Sequence, residues 1–148
     1  MMFKLPTLKI KKTWLNAEIP QYQTPAAAGA DLVSSQTAYI HPGEVVMIDT
    51  GWSMEIPEGY FGAIFPRSGL ATKNGLRLAN CVGVIDSDYR GSVKVALYND
   101  SDKMQVIHGG DRIAQLVIIP FVQPKIKVVQ NLSDTIRGFG GFGSTGTK

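Results

Sequence analysis

Apolar, β-branched residues occur along this chain in runs too short for helices, separated by turn-forming residues at close intervals. "VVMI" (45–48), "WSMEI" (52–56), "YFGAIF" (60–65), "SVKVALY" (92–98), "IAQLVII" (113–119) and "KIKVV" (125–129) are the clearest. Between them stand Pro-Gly, Asp-Thr-Gly, Pro-Glu-Gly, Asn-Asp-Ser-Asp and Gly-Gly-Asp. Each run is expected to be a strand, and many short strands with close turns predict an all-β sandwich, jelly roll or barrel. "SVKVAL" alternates as a half-exposed strand should, whereas the continuous "LVII" reads as a strand buried on both faces. A chain of 148 residues fits one domain, enough to bury roughly 70% of its extended surface.

Composition narrows the chemistry. Hydrophobic content of 44% and charge of 18% fit a globular chain, and the net charge of +3 is modest. Lys4, Lys9, Lys11, Lys12, Lys125 and Lys127 read as solvated surface, because they lack the interleaved aromatics of a nucleic-acid groove. Cys81 is the only cysteine, so a reducing compartment is expected and Cys81 reads as a small buried hydrophobe. His41 and His108 lie apart from it, which argues against a zinc site. The N-terminus has no apolar run of signal-peptide length and "LVIIPFV" is too short to span a bilayer. A soluble, cytoplasmic protein is expected.

One stretch departs from the β pattern. In "PRSGLATKNG" (66–75), Ser68 is expected to cap a single helical turn through Leu70 and Ala71, with Gly75 as its left-handed exit. Arg67 beside a helix start makes either an anion site or a plain connector.

The densest polar stretch is "NCVGVIDSDYRGSVKV" (80–95). In an extended chain Asp86 and Asp88 face the same side, about 7 Å apart. Such a pair can activate water, hold a hydrated magnesium ion or simply form a hairpin turn. Tyr89 offers a flat apolar face with a polar tip, which suits a sugar ring. In "GGDRIAQL" (109–116), Gln115 is the polar residue within a buried strand, so it bonds either to neighbouring backbone or to a ligand.

The segment "RGFGGFGSTG" (137–146) is half glycine. Its literal G-x-G-x-x-G lacks the strand-to-helix context of a dinucleotide site. Bare backbone N–H groups, Arg137 and a stacking phenylalanine would nevertheless suit a nucleotide. Order on binding is the behaviour of a lid.

These segments, the fourth taken as "GDRIAQLVI" (110–118), form with "AGADLVSS" (28–35) five motifs in order across nearly the whole chain. Together they make the sequence resemble the trimeric dUTP pyrophosphatases (dUTPases). The resemblance implies a distorted jelly-roll or β-barrel subunit with one short helix, residues 1–136 forming the β domain and 137–148 its Gly-rich lid. It also implies a homotrimer whose sites each draw on three chains, and hydrolysis of dUTP to dUMP and pyrophosphate with Mg2+. No nucleic acid or membrane partner is expected.

Carried over by motif, Asp86 is implied to be the base that deprotonates the attacking water and the partner of the deoxyribose 3′-hydroxyl. Tyr89 packs under the deoxyribose and Asn80 contacts uracil. Arg67, Ser68 and Gln115 bind phosphates, Gly69 is a further substrate-binding residue, and Asp31 acts on hydrated magnesium through water. Arg137 meets the γ-phosphate and Phe142 stacks on uracil beside Gly143. Ser144 and Thr145 close on the phosphates. Ala30, Cys81 and Ser92 depart from the usual pattern, Ser92 standing where an acidic residue is frequent. A dCTP deaminase of the same fold needs a glutamate at the ring, and the stretch from Asn80 to Gly91 contains none. A dUTP-binding regulator would be marked by a damaged base or lid, and both are intact.

Overall fold

The computed structural model describes residues 5–143. Ten strands are present among the described residues: β1 Lys9–Lys12, β2 Ala30–Val33, β3 Ala38–Ile40, β4 Val45–Glu55, β5 Tyr60–Phe65, β6 Leu76–Leu78, β7 Gly83–Ile85, β8 Ser92–Asn99, β9 Gln105–Ile107 and β10 Arg112–Pro120. They form one antiparallel sheet in the order β1-β4-β8-β6, a second in the order β2-β10-β5-β7, and a small β3-β9 pair. The all-β expectation holds, including the single short helix.

The alternation of β8 sets the core. Val93, Val95 and Leu97 point inward and are at most 1% exposed. They join Ile48 and Met54 of β4 and meet Leu32, Ile64 and Leu116 of the other sheet in one cluster. Burying each such side chain contributes roughly 1.5–3 kcal/mol. On the outer edge, Lys9 Nζ donates to Glu55 Oε1 at 2.6 Å. That bond holds the Glu55 carboxyl below its ordinary range.

Several local expectations are corrected. "VVMI" and "WSMEI" are one strand, β4, and not two. What separates them is a bulge, where the β4–β8 register shifts between Asp49 and Ser53. Gly51 sits in it at φ 76°, and a Cβ there would meet the Ala17 Cβ at 2.5 Å, so only glycine fits. "LVII" is not buried on both faces: Leu116 enters the core while Val117, Ile118 and Ile119 are half-buried. Ser68 does not cap the helix. Leu70–Asn74 is a π-helical turn whose N-cap position is Gly69, without a side-chain cap bond. Gly75 is the left-handed exit as expected, at φ 65°. Cys81 is exposed at φ 62°.

"KIKVV" is not a strand here. After Pro120 the chain runs to Gly143 as an irregular segment that leaves the sheets. Ile126, Val128, Leu132 and Ile136 are 86% exposed or more. Alternating apolar residues can form a strand only beside a partner edge, and residues 125–129 pair with none of the described strands.

Candidate active site

Strand β7 pairs with β5, with Ile85 opposite Gly62. The chain then turns, and Tyr89 N–H donates to Asp86 O at 3.1 Å. Asp86 to Tyr89 is therefore a four-residue turn, so Asp86 and Asp88 do not share one extended face as the spacing suggested. Nor is it a hairpin, because β8 belongs to the other sheet. The turn is a corner between sheets, which leaves Asp86 exposed at the rim.

Asp86 borders two clefts. One, of about 840 Å³, is lined by Glu58, Phe61, Val84, Asp88 and Phe121 among others. The second, of about 230 Å³, lies between Asp86, Tyr89, Ser92 and Lys94. Tyr89 is 45% exposed, and its hydroxyl donates to Ser92 O at 3.2 Å. A carboxylate and a flat ring thus share one small cavity. Asn80 is exposed in the turn after β6.

The second cluster is at the far end of β5. Asp31, in β2, is 9% exposed. Its Oδ1 lies 3.5 Å from Arg67 Nε, and its Oδ2 accepts from Arg112 Nη1 at 3.1 Å. Arg67 Nη1 also donates to Arg112 O at 2.9 Å. Gln115 stands opposite both Asp31 and Phe65, and its Nε2 donates to Pro66 O at 3.0 Å. Gln115 is thus half-buried and satisfied by backbone, its Oε1 seated against Gly29. Two guanidiniums against one carboxylate leave a net positive charge beside exposed Ser68 and Gly69. An anion is the matching ligand. Arg112 was not among the residues expected here. Its signal, an arginine opening the strand that pairs with the strand of Asp31, depends on a pairing the sequence alone does not display.

The structure brings Asp31, Arg67, Ser68, Gly69 and Gln115 together, and separately Asp86 and Tyr89, but it does not join the two groups. Phe61 continues the register opposite Asp86, so six residues of nearly extended chain separate Asp86 from Arg67, about 20 Å. The arm carries a third group. Arg137 Nε donates to Gly140 O at 2.8 Å, while Phe142 is fully exposed at φ 45° and Gly143 has φ 87°. Ser144 and Thr145 lie outside the described residues. Among the described residues, no group of three or more His, Cys, Asp or Glu could hold a metal ion. Both oxygens of Asp31 face arginines.

Fold and clusters together define an all-β protein with a carboxylate and a tyrosine ring at one end of β5 and an arginine-rich cluster at the other. The dUTPase family model matches residues 15–146. Deoxyuridine 5'-triphosphate nucleotidohydrolase of Nautilia profundicola is 55% identical over 139 residues, 94% of this chain and 98% of the relative. That of Desulfitobacterium hafniense is 48% identical over 147 residues, 95% and 97%. The dUTPase of Staphylococcus bacteriophage 80alpha, solved with dUpNHpp, superposes with a TM-score of 0.89 at 32% identity, covering 95% of this chain and 99% of that one. A mutant dUTPase from phage phi11 of S. aureus, solved for its structural Mg(II) ion, gives 0.81 at 28%, covering 86% and 99%. This chain belongs to the dUTPase family.

Proposed function

We propose that the protein is a dUTP diphosphatase, hydrolysing dUTP to dUMP and pyrophosphate by attack of water on the α-phosphorus. The observation that carries this most directly is the turn that sets the Asp86 carboxylate and the Tyr89 ring at one cavity. Full-length relatives named as nucleotidohydrolases support it.

Asp86 takes a proton from the attacking water as its oxygen bonds to phosphorus, and accepts from the 3′-hydroxyl. The bond to the bridging oxygen breaks, and pyrophosphate leaves. A single positioned base of this kind contributes roughly 100- to 10,000-fold. Tyr89 lies against the deoxyribose where a 2′-hydroxyl would clash, and Asn80 contacts uracil. Arg67, Ser68, Gly69 and Gln115 bind the phosphates, where donors fixed in advance offset developing charge without reorganisation. Magnesium, when bound, neutralises triphosphate oxygens. It takes few carboxylates and keeps water, which suits an indirect role for Asp31.

The site is proposed to be shared among three copies. A triphosphate cannot bridge about 20 Å of strand, so Asp86 and Arg67 serve one nucleotide only if they come from different copies. The exposed apolar arm supports this: residues 121–136 lie on a second copy, and Arg137, Phe142, Gly143, Ser144 and Thr145 close a site remote from their own sheets. Residues 137–148 are then a lid on the 1–136 domain. No described helix is long and apolar enough to cross a membrane. A cytoplasmic location is proposed from the lone free Cys81.

Hydrolysis in isotopically labelled water tests the point of attack. Label in dUMP is expected. Label in pyrophosphate would place attack at the β-phosphorus and remove Asp86 from the proposed role.

A further inference from the structure

The turn bearing Asp86 and Tyr89 is tied to the sheet behind it by contacts that begin in the β4 bulge. Asp49 is 7% exposed. Its Oδ1 accepts from Gly51 N–H at 2.7 Å and from the Ser92 hydroxyl at 2.5 Å. Thr13 Oγ1 lies 3.2 Å from that same hydroxyl. The bulge is itself pinned, since Thr50 Oγ1 donates to Val93 O at 2.8 Å. Ser92 is therefore anchored through its side chain at the first position of β8. Its carbonyl in turn accepts the Tyr89 hydroxyl. From behind, the ring lies on Gly91, where a Cβ would overlap Tyr89 Cζ and Oη.

An exposed tyrosine on a turn would ordinarily swing about χ1. A swinging ring cannot reject one extra hydroxyl, because the added atom is accommodated by a small displacement. Discrimination requires a wall fixed to within about 0.5 Å. Here the tip of the ring is held by a hydrogen bond, its flank by bare backbone, and the accepting carbonyl by a buried carboxylate.

We propose that Asp49, Gly91 and Ser92 are positioning residues that set deoxyribose-over-ribose selectivity by immobilising the Tyr89 ring. The inference rests on the role given to Tyr89 above and extends it to residues that touch no substrate. It also gives the departure at position 92 a function, because a serine hydroxyl is the donor that Asp49 requires.

The test compares kcat/KM for dUTP and UTP in the wild type, Tyr89→Ala, Tyr89→Phe, Gly91→Ala, Ser92→Ala and Ser92→Thr. Dissociation constants for dUMP and UMP provide a readout independent of turnover, and thermal midpoints are recorded alongside. Loss of one hydrogen bond in Ser92→Ala or Tyr89→Phe is expected to lower the dUTP:UTP ratio about fivefold. Gly91→Ala, which displaces the ring, is expected to lower it as far as Tyr89→Ala does. Ser92→Thr keeps the hydroxyl and is expected to restore the ratio. A merely structural role would lower both substrates together and leave the ratio fixed. An unchanged ratio in Gly91→Ala and Ser92→Ala, with a lowered one in Tyr89→Ala, would overturn the inference alone. An unchanged ratio in Tyr89→Ala, or a wild type without dUTP turnover, would overturn the reading of Tyr89 and the inference with it.

Discussion

Mixing two inactive variants should restore activity. Within one chain, Asp86 lies opposite Phe61 by continuation of the β5–β7 register, and Arg67 follows β5 at its other end. Six residues of nearly extended backbone span about 20 Å, whereas water attack and phosphate binding act on neighbouring atoms of one triphosphate. If each site takes Asp86 from one copy and Arg67 from another, Asp86→Asn and Arg67→Ala damage different contributors. In trimers reassembled at random from equal amounts, half of the first contributors and half of the second are intact. Roughly a quarter of wild-type activity should therefore return. The assay is pyrophosphate release after the variants are unfolded together and refolded, beside the same variants refolded apart and then mixed. Activity of the co-refolded mixture no higher than the sum of its parents would refute the shared site and require both clusters to act within one chain.

Two further outcomes follow from the same geometry. Removing residues 137–148 should lower kcat/KM for dUTP roughly 100-fold, through loss of the Arg137 donor and the closing glycines. The thermal midpoint should stay unchanged, since the described bonds of residues 137–143 are local. Leu97→Ala, at a position 1% exposed between β4 and β6, should cost about 2–5 kcal/mol in urea unfolding.

Strand content was legible wherever a run could be read by its own alternation. Strand β5 has the bounds of "YFGAIF", and the inward positions of β8 are those its alternation marks. What escaped the sequence depended on partners distant along the chain. The bulge at Gly51 exists because β4 must meet both β8 and β1, so its Asp-Thr-Gly read as a turn. "KIKVV" carries strand chemistry, but a strand also needs an edge to pair with. Asp-Ser-Asp read as an extended pair because the change of sheet between β7 and β8 leaves no local mark.

The candidate site was legible as residue types and opaque as geometry. Asp86, Tyr89, Arg67 and Gln115 stood out by chemistry and by resemblance. Their division between two ends of β5, and the pairing of Asp31 with Arg112, became visible only with strand register. Asp49 offered no signal at all, because the role proposed for it depends on Ser92 arriving from the neighbouring strand.

The most direct measurement is pyrophosphate release with magnesium from dUTP, UTP, dTTP and dCTP, for the wild type and Asp86→Asn. Turnover of dUTP alone, reduced roughly 100- to 10,000-fold by the substitution, is the predicted result. Tight binding of dUTP without turnover, or turnover indifferent to Asp86→Asn, would contradict the account.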